Sequence, residues 1–474
     1  MEAYIAGGGL SRFGKRSGSM QDLMAEAAEE AFGEARPHGI ARESVGAVVV
    51  GILNPAEFLD EGNSASLIAD HLGLTGAAAW RVETASSTGA AALHAACHAI
   101  LAGRFETVLI LGGEKKSHHA TPEVTARLAR MIDRSERRMG ATMTALSALV
   151  SEYYRRAHGL SPEAFEALRG RVAVKNRRNG CANPYAHLRR EITLEQFAAS
   201  RFVSTPLRLF DCGPISDGAA ALLLTARRTP ARISGLGHAT DTQAISRRAT
   251  LAFFGATRRA AAAAYRMAGL GPADIEVAEV HDAFTTIEII SSEDLGLFPP
   301  GAYGEALRTG KAEAGGDLPV NASGGLLARG HPIGASGLAQ VVELWRRLGR
   351  EGVRRGRPPR RGIALSMGGM ATNNLVTLVE LEGAPPPAED PGPLPPAPDR
   401  PPAPIGAPIP ERGAVAAATT LYSPPAGFEG PLHFALVEGR ADGLRRTVLA
   451  RGGRALEPGE RVRLKTAPDG VFIA

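Results

Sequence analysis

Residues 86–100 read SSTGAAALHAACHAI, and residues 106–114 read ETVLILGGE. In this stretch small residues lead into a helical pattern, which is followed by a buried strand and a pair of glycines. The same order returns at residues 332–348, PIGASGLAQVVELWRRL, and at residues 362–370, GIALSMGGM. Repetition of a helix and a buried strand in one order predicts a layered α/β chain with two similar halves.

The repeat places Ser86 and the segment around His331 just before helices of equivalent position in the two halves. A helix N-terminus carries unpaired backbone N–H groups and the positive end of the helix dipole. Pseudo-symmetry would bring both helix starts toward a common centre. Such a centre stabilises developing negative charge, for example on an oxyanion or an enolate.

Composition divides the chain into four segments. We place the two halves at residues 1–230 and 231–383. Residues 384–411 are so rich in proline that they exclude helix and sheet, which predicts a semi-rigid extended tether. Residues 412–474 hold four short strand patterns separated by Gly or Pro turns and predict a small β-barrel.

Bulk composition excludes several classes of protein. Hydrophobic residues make up 44% and charged residues 22%, as in an ordinary globular chain. The net charge is +5, but basic and acidic residues are interspersed and aromatics reach only 5%, so we predict no nucleic-acid binding. No apolar run is long enough to span a bilayer, and no signal peptide is visible. Because the three cysteines lie far apart, the sequence predicts neither a disulfide framework nor a metal site, and it favours a cytoplasmic protein.

Seven short motifs occur in one order along the chain: VETASSTGAAALHAA at 82–96, GGEKKSH at 112–118, KNRRNGCANPYA at 175–186, DCGPISDGAAALLL at 211–224, HDAF at 281–284, NASGGLLARGHPIGASG at 321–337 and SMGGMATN at 366–373. Together they resemble the thiolase superfamily, in particular thiolases of the sterol-carrier-protein kind. The resemblance implies a duplicated thiolase fold of two βαβαβαββ halves, layered α-β-α-β-α. The tail is similar to the OB-fold acyl-CoA-associated proteins that accompany many such thiolases.

The resemblance implies three catalytic positions. Ser86 stands where the family has its nucleophilic cysteine, and a serine hydroxyl, unlike a thiol, needs a base in the same step to attack. His331, in GHPIGASG, matches the histidine that activates the nucleophile or holds a thioester oxygen. His281, in HDAF, matches the position that gives a second hydrogen bond to that oxygen.

The resemblance also implies a second cysteine, which acts as an acid and base at the α-carbon, but Ser366 and Ala283 occupy its two candidate positions. Backbone groups near Gly368 and Gly369 are expected close to the acyl group, because a residue without a Cβ lets the main chain approach. The loop expected along the pantetheine arm of coenzyme A contains Asn321, Ser323, Gly324 and Gly325.

Three functions are compatible with these residues. The first is an enzyme that makes or breaks a C–C bond beside a CoA thioester by an aldol or retro-aldol reaction on a β-hydroxyacyl-CoA, for which no cysteine is needed. The second is acyl transfer through an ester on Ser86. The third is an acyl-CoA-binding scaffold without catalysis. We expect coenzyme A as part of the substrate and no tightly bound cofactor, and the resemblance implies a homodimer formed through the N-terminal half.

Overall fold

The computed structural model describes residues 2–396, 403–404 and 406–474. The α-helices of these residues are α1 (Met20–Ala35), α2 (Pro55–Phe58), α3 (Ser64–His71), α4 (Thr88–Leu101), α5 (Thr121–Leu128), α6 (Arg134–Arg138), α7 (Met143–Ala157), α8 (Pro162–Ala182), α9 (Leu194–Ala199), α10 (Gly255–Ala268), α11 (Thr285–Asp294), α12 (Tyr303–Arg308), α13 (Gly325–Ala328) and α14 (Ile333–Arg347). The strands are β1 (Tyr4–Leu10), β2 (Ala47–Ile52), β3 (Ala78–Val82), β4 (Thr107–Glu114), β5 (Phe202–Ser204), β6 (Leu207–Arg208), β7 (Gly218–Thr225), β8 (Ala231–Thr240), β9 (Val277–Glu279), β10 (Arg361–Gly368), β11 (Asn373–Leu381), β12 (Arg412–Leu421), β13 (Leu432–Ala441), β14 (Leu444–Gly452), β15 (Arg461–Ala467) and β16 (Gly470–Ile473).

One nine-stranded sheet confirms the duplication, because its two halves, which we call the first and the second sheet, repeat one strand order. The first half contributes β3-β2-β4-β7-β1, and the second contributes β8-β11-β10-β9 in the mirrored order. Two residue pairs, Tyr4 with Arg232 and Ile5 with Ala231, join the sheets through β1 and β8. The predicted repeat therefore corresponds to α4 and β4 in one half and to α14 and β10 in the other.

Helices α4 and α14 form the layer between the two sheets, while α1 covers the outer face of one sheet and α10 that of the other. This arrangement is the predicted α-β-α-β-α layering. The two central helices approach closely, because a Cβ added at Gly89 would lie 2.5 Å from the carbonyl oxygen of Gly334. Their starts are thus held side by side at the centre of the molecule.

Strands β2, β4, β7 and β10 are buried along their whole length. A strand that is covered on both faces reads as a continuous apolar run and not as an alternating one. This burial explains the runs of Val, Leu, Ile and Ala that predict these strands in the sequence.

The C-terminal segment folds as a closed five-stranded barrel, in which β12 pairs with β13 and β15, and β14 and β16 complete the circle. The sequence predicted four strands. The fifth, β16, has four residues and follows β15 after a two-residue turn, so it is too short to stand out as a separate apolar run.

The proline-rich segment contains neither helix nor strand in the part that the structure describes, while residues 397–402 and 405 of it lie outside the described residues. It rests on the second half of the chain. The carbonyl oxygen of Pro391 accepts a hydrogen bond from Ala273 N at 3.0 Å, and Ala403 N donates to Arg247 O at 2.8 Å. The boundaries at residues 230, 383 and 411 stay predictions.

The barrel docks on the body of the same chain through main-chain hydrogen bonds. The end of strand β12 pairs antiparallel with the short strand β5, with Thr205 N donating to Thr420 O at 3.1 Å and Tyr422 N donating to Val203 O at 2.9 Å. Backbone pairing of this kind fixes the register of the two segments. It brings Ser423, just after β12, to the wall of the cavity described next.

Candidate active site

A cavity of about 650 Å³ opens where the two halves meet. Its wall includes Ser86, His281, His331 and Gly369, which are four of the residues singled out in the sequence. The convergence expected from the repeat is therefore present, since Ser86 comes from one half and both histidines come from the other.

Ser86 occupies a tight turn immediately before α4. The preceding residue, Ala85, has a φ of 55°, which is uncommon for a residue with a side chain. The turn is held by the hydroxyl of Ser87, which donates to Thr84 O at 2.7 Å. A Cβ added at Gly368 would lie 2.2 Å from the same carbonyl oxygen, so only glycine at the end of β10 lets the turn pack there.

His281 follows β9 and is 4% exposed. Its Nδ1 accepts the backbone N–H of Met367 at 3.4 Å, so the neutral ring carries its proton on Nε2. Burial lowers the pKa of this imidazole to about 3, which keeps it neutral at physiological pH. His281 is therefore a hydrogen-bond donor through Nε2.

His331 has the opposite tautomer. Its Nδ1 lies 2.7 Å from the hydroxyl oxygen of Ser336, and that hydroxyl donates its own proton to Pro332 O at 2.8 Å. Because the serine proton is already used, Nδ1–H of the histidine is the donor and Nε2 carries the lone pair. Burial lowers the pKa of His331 well below its ordinary value, with smaller contributions from His281, Lys116 and Arg329.

The two imidazoles form a pair of one donor and one base. Their ring centroids are 5.3 Å apart and the rings are nearly perpendicular, at 87°. Within the part of the chain that the structure describes, no Asp, Glu, Lys or Tyr side chain lines the cavity. These two rings can therefore accept and donate a proton at the cavity wall.

One thiol also reaches the cavity wall, that of Cys212. Its Sγ lies 3.5 Å from the carbonyl oxygen of Arg208. Burial first, and then the neighbouring Asp211, raise the pKa of this thiol far above its ordinary value. A thiol with so little thiolate is a poor nucleophile.

Comparison with known proteins settles the family. The thiolase N-terminal domain matches residues 3–228, and the thiolase C-terminal domain-like family matches residues 237–380. This chain belongs to the thiolase superfamily. It is similar to the acetyl-CoA acetyltransferase of Methanothermobacter thermautotrophicus, with 36% identity over 360 residues that cover 74% of this chain and 92% of the relative. It is also similar to benzoylsuccinyl-CoA thiolase subunit BbsB of Thauera aromatica, with 32% identity over 352 residues, 72% of this chain and 87% of the relative.

Solved structures share the thiolase fold. A monomeric SCP2-thiolase like protein from Mycobacterium smegmatis superposes with a TM-score of 0.72 at 17% identity and covers 100% of this chain and 99% of its own. The Ltp2-ChsH2(DUF35) aldolase superposes with a TM-score of 0.66 at 24% identity and covers 81% of this chain and 98% of its own. At these identities the likeness concerns the fold alone.

The two positions that could hold the second thiolase cysteine lie in different surroundings. Ala283 lines the cavity. Ser366 does not, and its hydroxyl is buried without a hydrogen-bond partner among the described residues. A Cβ added at Gly337 would lie 2.7 Å from that hydroxyl, so Ser366 faces α14.

The loop predicted to lie along the pantetheine arm is held by buried carboxylates. Asn321 donates to Glu288 at 2.7 Å, and the amide N–H of Ser323 donates to Glu279 at 3.0 Å. Its remaining predicted members, Gly324 and Gly325, have positive φ values of 96° and 58° and begin α13. None of these residues lines the cavity, so their contact with coenzyme A stays a prediction.

Several cavity residues of this thiolase-superfamily protein were not predicted. The apolar wall is formed by Val124, Leu128, Met131, Met143, Phe284 and Ile287. Two arginines, Arg177 and Arg201, also line the cavity. Arg177 lies within a motif that was recognised, KNRRNGCANPYA, whereas Arg201 and Ser423 carry no local signal because only the long-range fold brings them here.

One further residue, Asp282, stabilises the loop that carries His281. Asp282 accepts the backbone N–H groups of Leu326 and Leu327 at 2.6 and 3.2 Å, and the amide of Asn176 at 2.8 Å. It therefore ties the HDAF loop to α13. The loop that carries His281 is fixed by this contact before any substrate binds.

The described residues 2–396, 403–404 and 406–474 contain no group of three or more His, Cys, Asp or Glu side chains that could hold a metal ion. No helix in them combines the length and apolar character needed to cross a bilayer.

Proposed function

We propose that this protein makes or breaks the Cα–Cβ bond of a β-hydroxyacyl-CoA in an aldol or retro-aldol reaction that uses no acyl-enzyme. The observation that carries the proposal is the pair of imidazoles with opposite tautomers in one cavity. One ring offers a lone pair and the other offers an N–H. A retro-aldol cleavage needs those two groups and nothing more.

In the cleavage direction, Nε2 of His331 takes the proton of the β-hydroxyl group. The Cα–Cβ bond breaks, the β-carbon becomes an aldehyde or ketone, and the electron pair moves to the thioester as an enolate. Nε2–H of His281 donates a hydrogen bond to the enolate oxygen. The imidazolium of His331 then returns its proton to Cα, which releases the shortened acyl-CoA and restores the base.

The residues at the former cysteine positions support this reaction over thiolysis. Thiolysis needs a nucleophile that leaves readily as a thiolate, and Ser86 supplies only a hydroxyl. It also needs an acid and base at the α-carbon, for which Ala283 has no functional group. Retro-aldol cleavage uses neither of these groups.

The substrate is proposed to be a CoA thioester. The names of the relatives support this, since they act on acetyl-CoA or benzoylsuccinyl-CoA. The guanidinium groups of Arg177 and Arg201 suit a ligand with phosphates. A cavity of about 650 Å³ with an apolar wall has room for an acyl group much larger than acetyl.

The test is the release of a carbonyl product. Purified full-length protein is incubated with β-hydroxyacyl-CoAs of several chain lengths and branching patterns, and the aldehyde or ketone is trapped as a hydrazone. We expect one carbonyl compound and one shortened acyl-CoA per substrate consumed. Failure to release a carbonyl compound from any of them, with tight acyl-CoA binding that His281 and His331 variants leave unchanged, would select a non-catalytic scaffold instead.

A second candidate is acyl transfer through an ester on Ser86, which its place in the cavity at the start of α4 favours. The proposed reaction predicts that Ser86→Ala lowers kcat by less than tenfold, or about 1.4 kcal/mol. It also predicts no acyl adduct on the Ser86 peptide when mixtures with acyl-CoA are quenched early and analysed by mass spectrometry. An adduct, together with loss of all turnover in the alanine variant, would establish acyl transfer and remove the aldol mechanism.

We further propose that the protein is a homodimer formed through its N-terminal half. Strand β3 is the edge of the first sheet, and its residues Ala78 and Arg81 are exposed. An open sheet edge is a template for pairing with another strand. Light scattering after size-exclusion chromatography should give twice the chain mass of 49.5 kDa. A single-chain mass at every concentration, as for the monomeric relative from Mycobacterium smegmatis, would contradict the dimer.

The barrel is proposed to be an OB-type module that helps to form the substrate channel. Ser423 from the barrel and Val203 from the strand to which it is paired both line the cavity. The module would thus act within its own chain.

A further inference from the structure

Two opposite charges, Glu114 and Lys116, lie buried at the end of β4 and take no part in the reaction described above. Their exposed fractions are 1% and 2%. Neither side chain lines the cavity. A buried charge is costly unless it makes specific contacts, so the contacts of these two residues indicate what they do.

Both residues touch the turn that carries His331. The ammonium of Lys116 donates to the carbonyl oxygen of His331 at 3.4 Å. The carboxylate of Glu114 accepts the N–H of Gly334 at 3.4 Å. The end of one strand in the first half thus contacts both ends of the turn that begins α14 in the second half.

The segment that carries Lys116 is itself fixed. Asp217 accepts the backbone N–H groups of Lys116 and Ser117, each at 2.8 Å, and the Ser117 hydroxyl at 2.5 Å. Asp217 is fully buried, and these hydrogen bonds lower its pKa although burial opposes them. The Lys116 side chain therefore starts from an anchored backbone.

We infer that Lys116 and Glu114 are positioning residues for His331. Together they hold its backbone so that Nε2 points at the substrate, and Lys116 alone adds a positive charge close to this residue. The inference rests on the proposed function, because it assigns the two residues to the base of that reaction. It adds a role for the first half of the chain, which otherwise contributes only Ser86 to the catalytic centre.

The effect of the Lys116 charge on the pKa of His331 has a definite direction. His281 after β9, Lys116 after β4 and Arg329 in its own loop are the charged or titratable groups that lower the pKa of His331, besides burial. Burial lowers the pKa of Lys116 and raises that of Glu114, and each residue offsets this effect in the other. Loss of the Lys116 charge should therefore raise the pKa of His331.

The test compares Lys116→Met and Lys116→Arg with Lys115→Met. Lys115 is a matched control, since its ammonium donates to Arg16 O at 2.7 Å and contacts Asp217 but makes no bond to His331. We expect K116M to lower kcat by about 10- to 100-fold with little change in KM, because small misplacements of a catalytic group have effects of that size. The acidic limb of kcat/KM should move to higher pH in K116M, return toward wild type in K116R and stay unchanged in K115M.

A readout independent of turnover separates this inference from the proposed function. The ring signals of His331, followed by NMR against pH, should show a higher pKa in K116M than in the wild type and in K115M. If no variant turns over any β-hydroxyacyl-CoA, the proposed function fails while this titration still tests the charge effect. An unchanged His331 titration in K116M, or a loss of activity that is equal at every pH and not restored in K116R, would overturn the inference.

Discussion

Replacing His331 with asparagine should lower kcat for cleavage of a β-hydroxyacyl-CoA by about 10²- to 10⁴-fold, the usual contribution of general acid–base catalysis. The ring is the only lone-pair base on the cavity wall within the described residues, because His281 presents a proton there. Substrate binding should change little, since the asparagine is polar and smaller. The measurement is single-turnover release of the carbonyl product, with binding followed separately by calorimetry.

The assignment of His331 as the base also predicts how kcat/KM of the wild-type protein depends on pH. Burial lowers the pKa of His331 well below its ordinary value, so the neutral base persists as the pH falls through 6.5. We expect kcat/KM to stay constant as the pH falls through 6.5 and to decrease only when the pH falls below the lowered pKa of His331. An acidic limb at an ordinary histidine pKa, or an asparagine variant that keeps its kcat, would show that another group is the base.

Replacing His281 with alanine should lower kcat by about 10²- to 10³-fold, the effect of removing one donor from an oxyanion hole. The donor acts on charge that exists only after the Cα–Cβ bond begins to break, so KM should stay near its wild-type value. Asparagine at the same position retains an amide donor and should recover part of the rate. Steady-state kinetics of the three proteins on one substrate measure both effects.

His158 provides a matched control for the His281 prediction. It is a partly exposed histidine at the end of α7 that packs on Tyr154, outside the cavity. His158→Ala should leave kcat within about twofold, as expected of a substitution away from the site. If His281→Ala raised KM and left kcat unchanged, the ring would bind substrate without stabilising the enolate, and the assignment of the donor would be wrong.

Most of the fold could be predicted from the sequence because it depends on local patterns. The buried strands β4 and β10 are continuous apolar runs, and the helices before them, α4 and α14, begin with small residues. Because those patterns repeat in the same order, the amino-acid sequence alone predicts the duplication. The docking of the barrel was not predictable, because it depends on the pairing of Ser204 with Leu421, two residues that are far apart in the chain.

Only those residues of the site that lie in recognisable motifs could be predicted from the sequence. Ser86, His281 and His331 lie in recognisable motifs, and the cavity brings them together. The tautomers of the two rings were not predictable, since they are set by Ser336 and by the backbone of Met367. A motif specifies residue types. Which ring nitrogen of a histidine carries the proton depends on contacts that form only in the folded chain.

Both imidazoles of the site belong to the second copy of the duplicated unit, while the first copy supplies the serine turn. The two copies therefore share one architecture but contribute different residues to the site. The residue at position 86 of the first copy can therefore vary while the two imidazoles of the second copy stay in place. In a duplicated scaffold of this kind, the nucleophile position and the imidazole pair are free to change independently.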